Sequence, residues 1–141
     1  MRYANSVVKC IVIISLFPIF LLADVHTATT SGYWTNDAIW SAAAPHAGDD
    51  AVINSGVTVT NDQATVSLNS LTNSGTLRFV GWNSALNATQ VTINASGLFT
   101  CAGPVMTGAS NRVYVAASNV TISAGGAINA DGKGYAGGTN S

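Results

Sequence analysis

Residues 91–99 read VTINASGLF, and residues 120–128 read VTISAGGAI. In each stretch two aliphatic residues stand six and four positions before a glycine, Gly97 or Gly126, and an apolar residue follows two positions after it. A weaker copy, NSLTNSGTL at residues 69–77, keeps the residue four positions before Gly75 and the one two positions after it. Because alternate side chains of a strand point to the same face, each copy predicts a strand, a bend and a second strand with one apolar face.

The spacing of the copies predicts a fold built from stacked repeats. The interval from Gly75 to Gly97 is shorter than that from Gly97 to Gly126, and both lie within the range of about 20–50 residues that is typical of repeat architectures. A single repeat cannot bury its apolar face, whereas stacked repeats share one core and pair their strands in parallel. Glycine suits the bends because a sharp turn often needs a positive φ. We therefore predict an all-β protein, a right-handed parallel β-helix (β-solenoid) with about four or five coils over residues 29–141.

The chain has few of the sequence signals that mark β-hairpin turns. Antiparallel meanders need several hairpin turns, but Asp131-Gly132 is the single Asn-Gly or Asp-Gly pair of the chain. A β-sandwich whose strands resemble one another by chance is the alternative architecture.

The sequence stops at Ser141 after a glycine-rich stretch, where a solenoid would leave its core uncovered. We therefore expect the β-helix to be incomplete at this end, with further chain beyond residue 141.

The composition restricts the chemistry that the protein can perform. Its 141 residues are 48% hydrophobic and 8% charged, with a net charge of −1, which excludes a chain disordered by its own charge. After residue 28 the basic residues are Arg78, Arg112 and Lys133, too few to predict a nucleic-acid partner. The chain has no Glu, and His46 is the one histidine after residue 28. We therefore predict no catalytic residue, no metal ligand and no cofactor.

Residues 1–28 have the layout of a secretory signal peptide. Arg2 and Lys9 supply a weakly positive start, and CIVIISLFPIFLL follows at residues 10–22. This apolar run is well short of the roughly 20 residues that a helix needs to cross a bilayer. We predict a signal peptide over residues 1–28, cleaved after Ala23 or Ala28, and a secreted or cell-surface protein whose only membrane contact is this signal. An uncleaved membrane anchor is the alternative.

The region from residue 34 to residue 99 carries a more specific pattern. Its motifs are Trp34 with Trp40, PHAGDDAVI at 45–53, GVTV at 56–59, SGTL at 74–77 and VTINASGLF at 91–99. This arrangement resembles the extracellular eight-glycine domain, a short module of secreted and cell-surface proteins that is similar to a parallel β-helix. The resemblance implies extracellular binding or scaffolding rather than catalysis.

Two groups of side chains are candidates for ligand contact. The rings of Trp34, Trp40 and Trp82 would offer a surface on which sugars stack, the alternative being that such rings cover the open end of the core. The acidic residues Asp37, Asp49 and Asp50 would supply oxygens for Ca²⁺, but they lack the regular spacing of a calcium loop. We therefore interpret the acidic residues as turn residues that cap the backbone.

These observations predict a secreted or cell-surface, non-catalytic scaffold or adhesin-type binding segment, with glycans or cell-surface components as partners. The alternative is the N-terminal module of a carbohydrate-active enzyme, a polysaccharide lyase or hydrolase, with catalytic residues beyond residue 141. A third hypothesis is an ice- or surface-binding face formed by outward threonines of residues 57–60, 91–93 and 120–122. The unequal repeat lengths disfavour the flat array that such a face needs.

Overall fold

The computed structural model of the protein describes residues 23–106 and 110–136. Its strands are β1 (Val25–Ala28), β2 (Gly32–Tyr33), β3 (Asp50–Ile53), β4 (Thr58–Asn61), β5 (Leu68–Asn73), β6 (Thr76–Phe79), β7 (Leu86–Ile93), β8 (Leu98–Cys101), β9 (Val115–Ile122) and β10 (Ala127–Ile128). One 3-10 turn, Asp37–Ile39, lies between β2 and β3. The described ranges contain no helix that is long and apolar enough to span a bilayer. The apolar run of the predicted signal peptide, residues 10–22, lies outside the described residues.

The strands alternate along the chain between two parallel sheets. One sheet has the order β1-β3-β5-β7-β9, and the other has the order β10-β8-β6-β4-β2. Every neighbouring pair of strands within the two sheets is parallel. The prediction of an all-β protein is therefore confirmed, and the parallel pairing does not fit the antiparallel sandwich considered as the alternative.

The predicted right-handed parallel β-helix is wrong, because the strands form two five-stranded parallel sheets side by side and not a single clear solenoid. Each sequence repeat supplies one strand to each sheet: residues 91–93 lie in β7, and residues 98–101 form β8. Apolar periodicity specifies which strands are neighbours and which face is buried. Apolar periodicity does not specify how the paired strands are distributed among sheets. The β-helix prediction assumed such a distribution and was therefore not supported by the periodicity alone.

The alignment of the repeats themselves is confirmed by the strand register. Val91 and Ile93 of β7 pair with Val120 and Ile122 of β9, as the alignment of the two best copies predicts. The second half of the repeat also aligns, since Phe99 of β8 pairs with Ile128 of β10. Equivalent residues of successive repeats therefore lie beside one another in the sheets.

The core lies between the sheets and is filled by alternate residues of the strands. Burial in β4, β6 and β8 follows a period of two, as expected for strands with one face on a core. The rings of Phe79 and Phe99 meet edge to face, with centroids 6.1 Å apart. The largest fully buried apolar side chains are Phe79, Phe99, Ile53, Leu68, Leu71, Leu77, Leu86, Ile93, Val59 and Val91.

The repeat glycines are required for close packing rather than for a positive φ. A Cβ on Gly75 would collide with the carbonyl oxygens of Asn54 and Val57, and one on Gly97 with the carbonyl oxygen of Asn73. Neither glycine has a positive φ. The positions were therefore identified correctly from the sequence, but for the wrong reason: the chains of successive repeats approach each other too closely for a side chain.

Candidate functional site

Two of the three candidate tryptophans are buried at the edge of the sheets where β1 and β2 lie. Trp34 and Trp40 are 3% and 5% exposed, and their rings meet edge to face with centroids 5.0 Å apart. The indole N–H of Trp40 donates to the carbonyl oxygen of Trp34 at 2.9 Å. These contacts place both rings in the core cluster, where they cover its end and present no open face to a sugar.

The third tryptophan, Trp82, is on the surface and stacks against an arginine. Its side chain lies in the connection between β6 and β7 and is 55% exposed. The guanidinium carbon of Arg112 lies 4.4 Å from the Trp82 ring centroid and 4.5 Å from the Tyr114 ring centroid. A cation within about 6 Å of an aromatic face is attracted by the ring quadrupole. We name Trp82, Arg112 and Tyr114 together the Trp82 surface.

A hydrogen bond ties the two segments of the Trp82 surface together. The backbone N–H of Gly81, next to Trp82, donates to Oδ1 of Asn111, next to Arg112, at 2.5 Å. The segment before β7 and the segment before β9 are thereby fixed to each other. The arginine is held between two rings without an ion-pair partner among the described residues.

An open groove of about 470 Å³ adjoins the Trp82 surface through Arg112. Lys133 and Asn111 also line it, and Ile128 supplies an apolar wall. Among the described residues that line the groove there are two cationic side chains and no carboxylate. The groove and the rings together form a surface with flat apolar faces and a local positive charge.

A separate cluster lies at the edge of the first sheet, where His26, His46 and Asp49 meet. His26 is on β1 and only 6% exposed, and its Nδ1 lies 2.7 Å from the carbonyl oxygen of Ala43. Its other ring nitrogen, Nε2, is 3.0 Å from Oδ2 of Asp49. Nδ1 of His46 lies 3.6 Å from the same oxygen, and the His46 side chain is 77% exposed.

Asp49 is held in its ionised form by the turn that precedes β3. The backbone N–H of His46 donates to Oδ2 of Asp49 at 2.8 Å. This hydrogen bond is the main cause that lowers the pKa of the Asp49 carboxyl below its usual value of 3.8. The carboxylate therefore stays negative at neutral pH beside two histidine rings.

The three acidic residues considered as a calcium site have separate partners. Oδ1 of Asp37 accepts from the backbone N–H of Ala44 at 2.9 Å. Oδ1 of Asp50 accepts from Asn69 Nδ2 at 2.8 Å and from Ser70 Oγ at 2.6 Å. The interpretation as backbone-capping residues fits Asp37 and Asp49, which accept from backbone N–H groups. It does not fit Asp50, which lies in β3 and accepts from side chains of β5.

Sequence reasoning missed the histidine cluster because it assigned His26 to the signal peptide. With the boundary at residue 28, His46 had no second histidine with which to form a site. The only local signal was the pair His46 and Asp49, three residues apart in a turn. The parallel pairing of β1 with β3 brings His26 beside that turn, and this long-range contact has no signature in the sequence.

The sequence model of the G8 domain family matches residues 34–133. The match covers most of the chain, so the protein belongs to the G8 domain family, in agreement with the resemblance to the eight-glycine domain. It includes the Trp82 surface, His46, Asp49 and the lining of the groove up to Lys133, whereas His26 lies before it. Comparison with curated proteins and with solved structures gave no match.

Proposed function

We propose that the protein is a secreted or cell-surface, non-catalytic scaffold or adhesin-type segment that binds glycans at the Trp82 surface. The observation that carries this proposal is the exposed Trp82 ring with the Arg112 guanidinium held against it. A tryptophan offers a large, rigid contact area that loses little conformational entropy on binding. Sugar rings have apolar C–H faces that pack on such a ring and hydroxyl groups that accept hydrogen bonds from arginine.

The charge of the surface favours acidic sugars. Arg112 and Lys133 lie along the same groove without a neighbouring carboxylate among the described lining residues. A guanidinium binds a carboxylate through two parallel hydrogen bonds, which gives directional as well as electrostatic preference. We therefore expect uronate-containing or sulfated glycans to bind more tightly than neutral ones, with an affinity that falls as salt is added.

Membership of the G8 domain family and the layout of residues 1–28 support an extracellular location. The same surface would serve the alternative function, in which this chain is the leading module of a carbohydrate-active enzyme and presents substrate to residues beyond Ser141. Release of reducing ends by the product of the complete gene would favour the enzyme, whereas binding without product favours the scaffold.

A glycan array with matched variants tests the proposal. We expect Trp82→Ala to weaken binding at least about tenfold, because the ring supplies most of the contact area. Arg112→Gln should weaken binding to acidic glycans and leave binding to neutral glycans nearly unchanged. Tyr33→Ala is the control, since Tyr33 is a similarly exposed aromatic residue on β2, an edge strand of the second sheet. Unchanged binding by Trp82→Ala would overturn the proposal.

A further inference from the structure

We propose that His26, His46 and Asp49 form a binding site for a divalent transition metal ion of the zinc type. The three ligand atoms, His26 Nε2, His46 Nδ1 and one Asp49 oxygen, all lie within 4.8 Å of one another. Imidazole nitrogen and carboxylate oxygen are ligands that zinc prefers, and three protein ligands leave the fourth position for water. The site is independent of the Trp82 surface and uses none of its residues.

The hydrogen bond at the far side of the His26 ring decides which nitrogen is free to bind a metal. A backbone carbonyl only accepts hydrogen bonds, so Nδ1 of His26 carries the hydrogen that is donated to Ala43. The nitrogen that remains for a metal is Nε2, and it is directed at the cluster. Metal-binding histidines characteristically donate the other ring N–H to a backbone carbonyl or a carboxylate, which fixes the ring in this way.

Nε2 of His26 is buried and has no hydrogen-bond partner among the described residues. Its 3.0 Å approach to the Asp49 carboxylate lacks the alignment of a hydrogen bond. The nitrogen and the negatively charged oxygen can lie this close inside the protein only if a proton or a metal ion is shared between them. A metal ion satisfies both atoms at once, because it accepts electron pairs from the nitrogen and from the oxygen.

Two of the three distances within the cluster are close to those of tetrahedral coordination. Two ligand atoms about 2.1 Å from a tetrahedral metal are about 3.4 Å apart. The separations of 3.0 Å from Asp49 Oδ2 to His26 and 3.6 Å to His46 lie on either side of that value. Full tetrahedral geometry requires a small movement of the His46 ring nitrogen, and the His46 side chain is mostly in solvent and free to rotate.

A metal here would connect the edge of the first sheet to the turn beside it. His26 is on β1, the edge strand, whereas His46 and Asp49 belong to the turn before β3. An ion bound by all three would fix this turn to the edge strand, whose outer side is already hydrogen-bonded to residues 39–41. The site would therefore stabilise the edge of the sheet as well as bind the ion.

Zinc titration of the chain without an affinity tag tests the proposal. After treatment with chelator, we expect isothermal titration calorimetry with zinc chloride to show one ion per chain at micromolar affinity or tighter. Cobalt(II) in the same site should give the visible absorption bands of tetrahedral coordination. The thermal midpoint should rise with zinc concentration, because the ion binds the folded chain preferentially.

Variants assign the binding to these residues. His46→Ala and Asp49→Asn should each weaken zinc binding at least roughly tenfold, and His46 is exposed enough to be replaced without disturbing the fold. Asp62→Asn, which removes an exposed carboxylate elsewhere, is the matched control and should bind as the unchanged chain does. The proposal is overturned if zinc at millimolar concentration does not bind, or if both variants bind it with unchanged affinity.

Discussion

Asn73 is fully buried although its side chain is polar. Its Nδ2 donates to the carbonyl oxygen of Gly75 at 3.1 Å and to that of Leu98 at 3.3 Å, so one amide connects the bends of two successive repeats. We expect Asn73→Ala to lower the free energy of unfolding by about 1–3 kcal/mol, since two carbonyls lose a donor in the interior. Urea denaturation measures the loss.

The control for this prediction is Asn83→Ala, because Asn83 is exposed on a connecting segment. Its replacement should change the free energy of unfolding by less than about 0.5 kcal/mol. Equal stability of the two variants would show that the Asn73 amide does not contribute through its hydrogen bonds.

Gly97 lies where successive repeats approach too closely for a side chain, and this close approach can be tested by substitution. A Cβ at this position would collide with the carbonyl oxygen of Asn73 and lie 2.8 Å from Cγ2 of Ile93. We expect Gly97→Ala to destabilise the protein by about 1–3 kcal/mol, as overpacking of a core does. Thermal unfolding should show a lower midpoint.

Gly134→Ala is the matched control for Gly97→Ala, since a Cβ on Gly134 would meet no atom within 4 Å. Its midpoint should stay close to that of the unchanged chain. If Gly97→Ala were as stable as Gly134→Ala, the close approach of successive repeats would not be the reason for glycine at residue 97.

Single residues were predictable from the sequence only where a local pattern determines them. The copies around Gly97 and Gly126 identified the inward aliphatic residues and the glycine positions correctly. The close approach that requires those glycines depends on how neighbouring repeats pack, which no local pattern records. His26 was missed for a related reason: its partners His46 and Asp49 follow only after β2 and the 3-10 turn, too far along the chain for a local motif.

At the scale of strands, the sequence predicted the pairing partners and the parallel direction, but not the two-sheet arrangement. The apolar residues of VTI at 91–93 and 120–122 specify a register, because a shift by one residue would turn them to solvent. How strands are distributed among sheets depends on the bends between them. Those bends, such as residues 94–97, contain small polar residues that are compatible with several chain directions.

Strand β1 leads to a prediction about processing of the chain. Val25–Ala28 pairs with Asp50–Ile53, and both His26 and Ala28 are buried. Cleavage after Ala23 would retain this strand, whereas cleavage after Ala28 would remove it and leave β3 at the edge of the sheet. If the proposed signal peptide is removed, we expect the mature chain to begin at Asp24, and intact-mass measurement tests this start. A mature chain that begins at Thr29 would contradict this expectation and would also lack His26.

At the scale of the whole molecule, the two ends of the paired sheets differ. Trp34 and Trp40 cover the end at β1 and β2, whereas the inward-facing residues Val120 and Ile122 of β9 are each 47% exposed. Strand β9 is eight residues long and forms the edge of the first sheet among the described strands. A long apolar edge is a site at which copies of a chain pair with one another.

We therefore expect a polypeptide of residues 1–141, expressed alone, to associate in a concentration-dependent way through β9. Thr121→Lys places a charge on the exposed face of this strand and should slow aggregation severalfold, with little effect on the thermal midpoint. Light scattering at several concentrations measures the rate. Thr92→Lys adds the same charge to β7, inside the sheet, and should not slow aggregation. Equal rates for the two variants would exclude β9 as the site of association.

The different surroundings of the three tryptophans give the protein two separate optical signals. Trp34 and Trp40 are enclosed and should emit at short wavelength until the end of the core opens, whereas Trp82 should emit at long wavelength and be quenched by iodide. A sugar that stacks on Trp82 would shift only the second component. Intrinsic fluorescence can therefore follow ligand binding and the opening of the covered end in the same sample, without any added label.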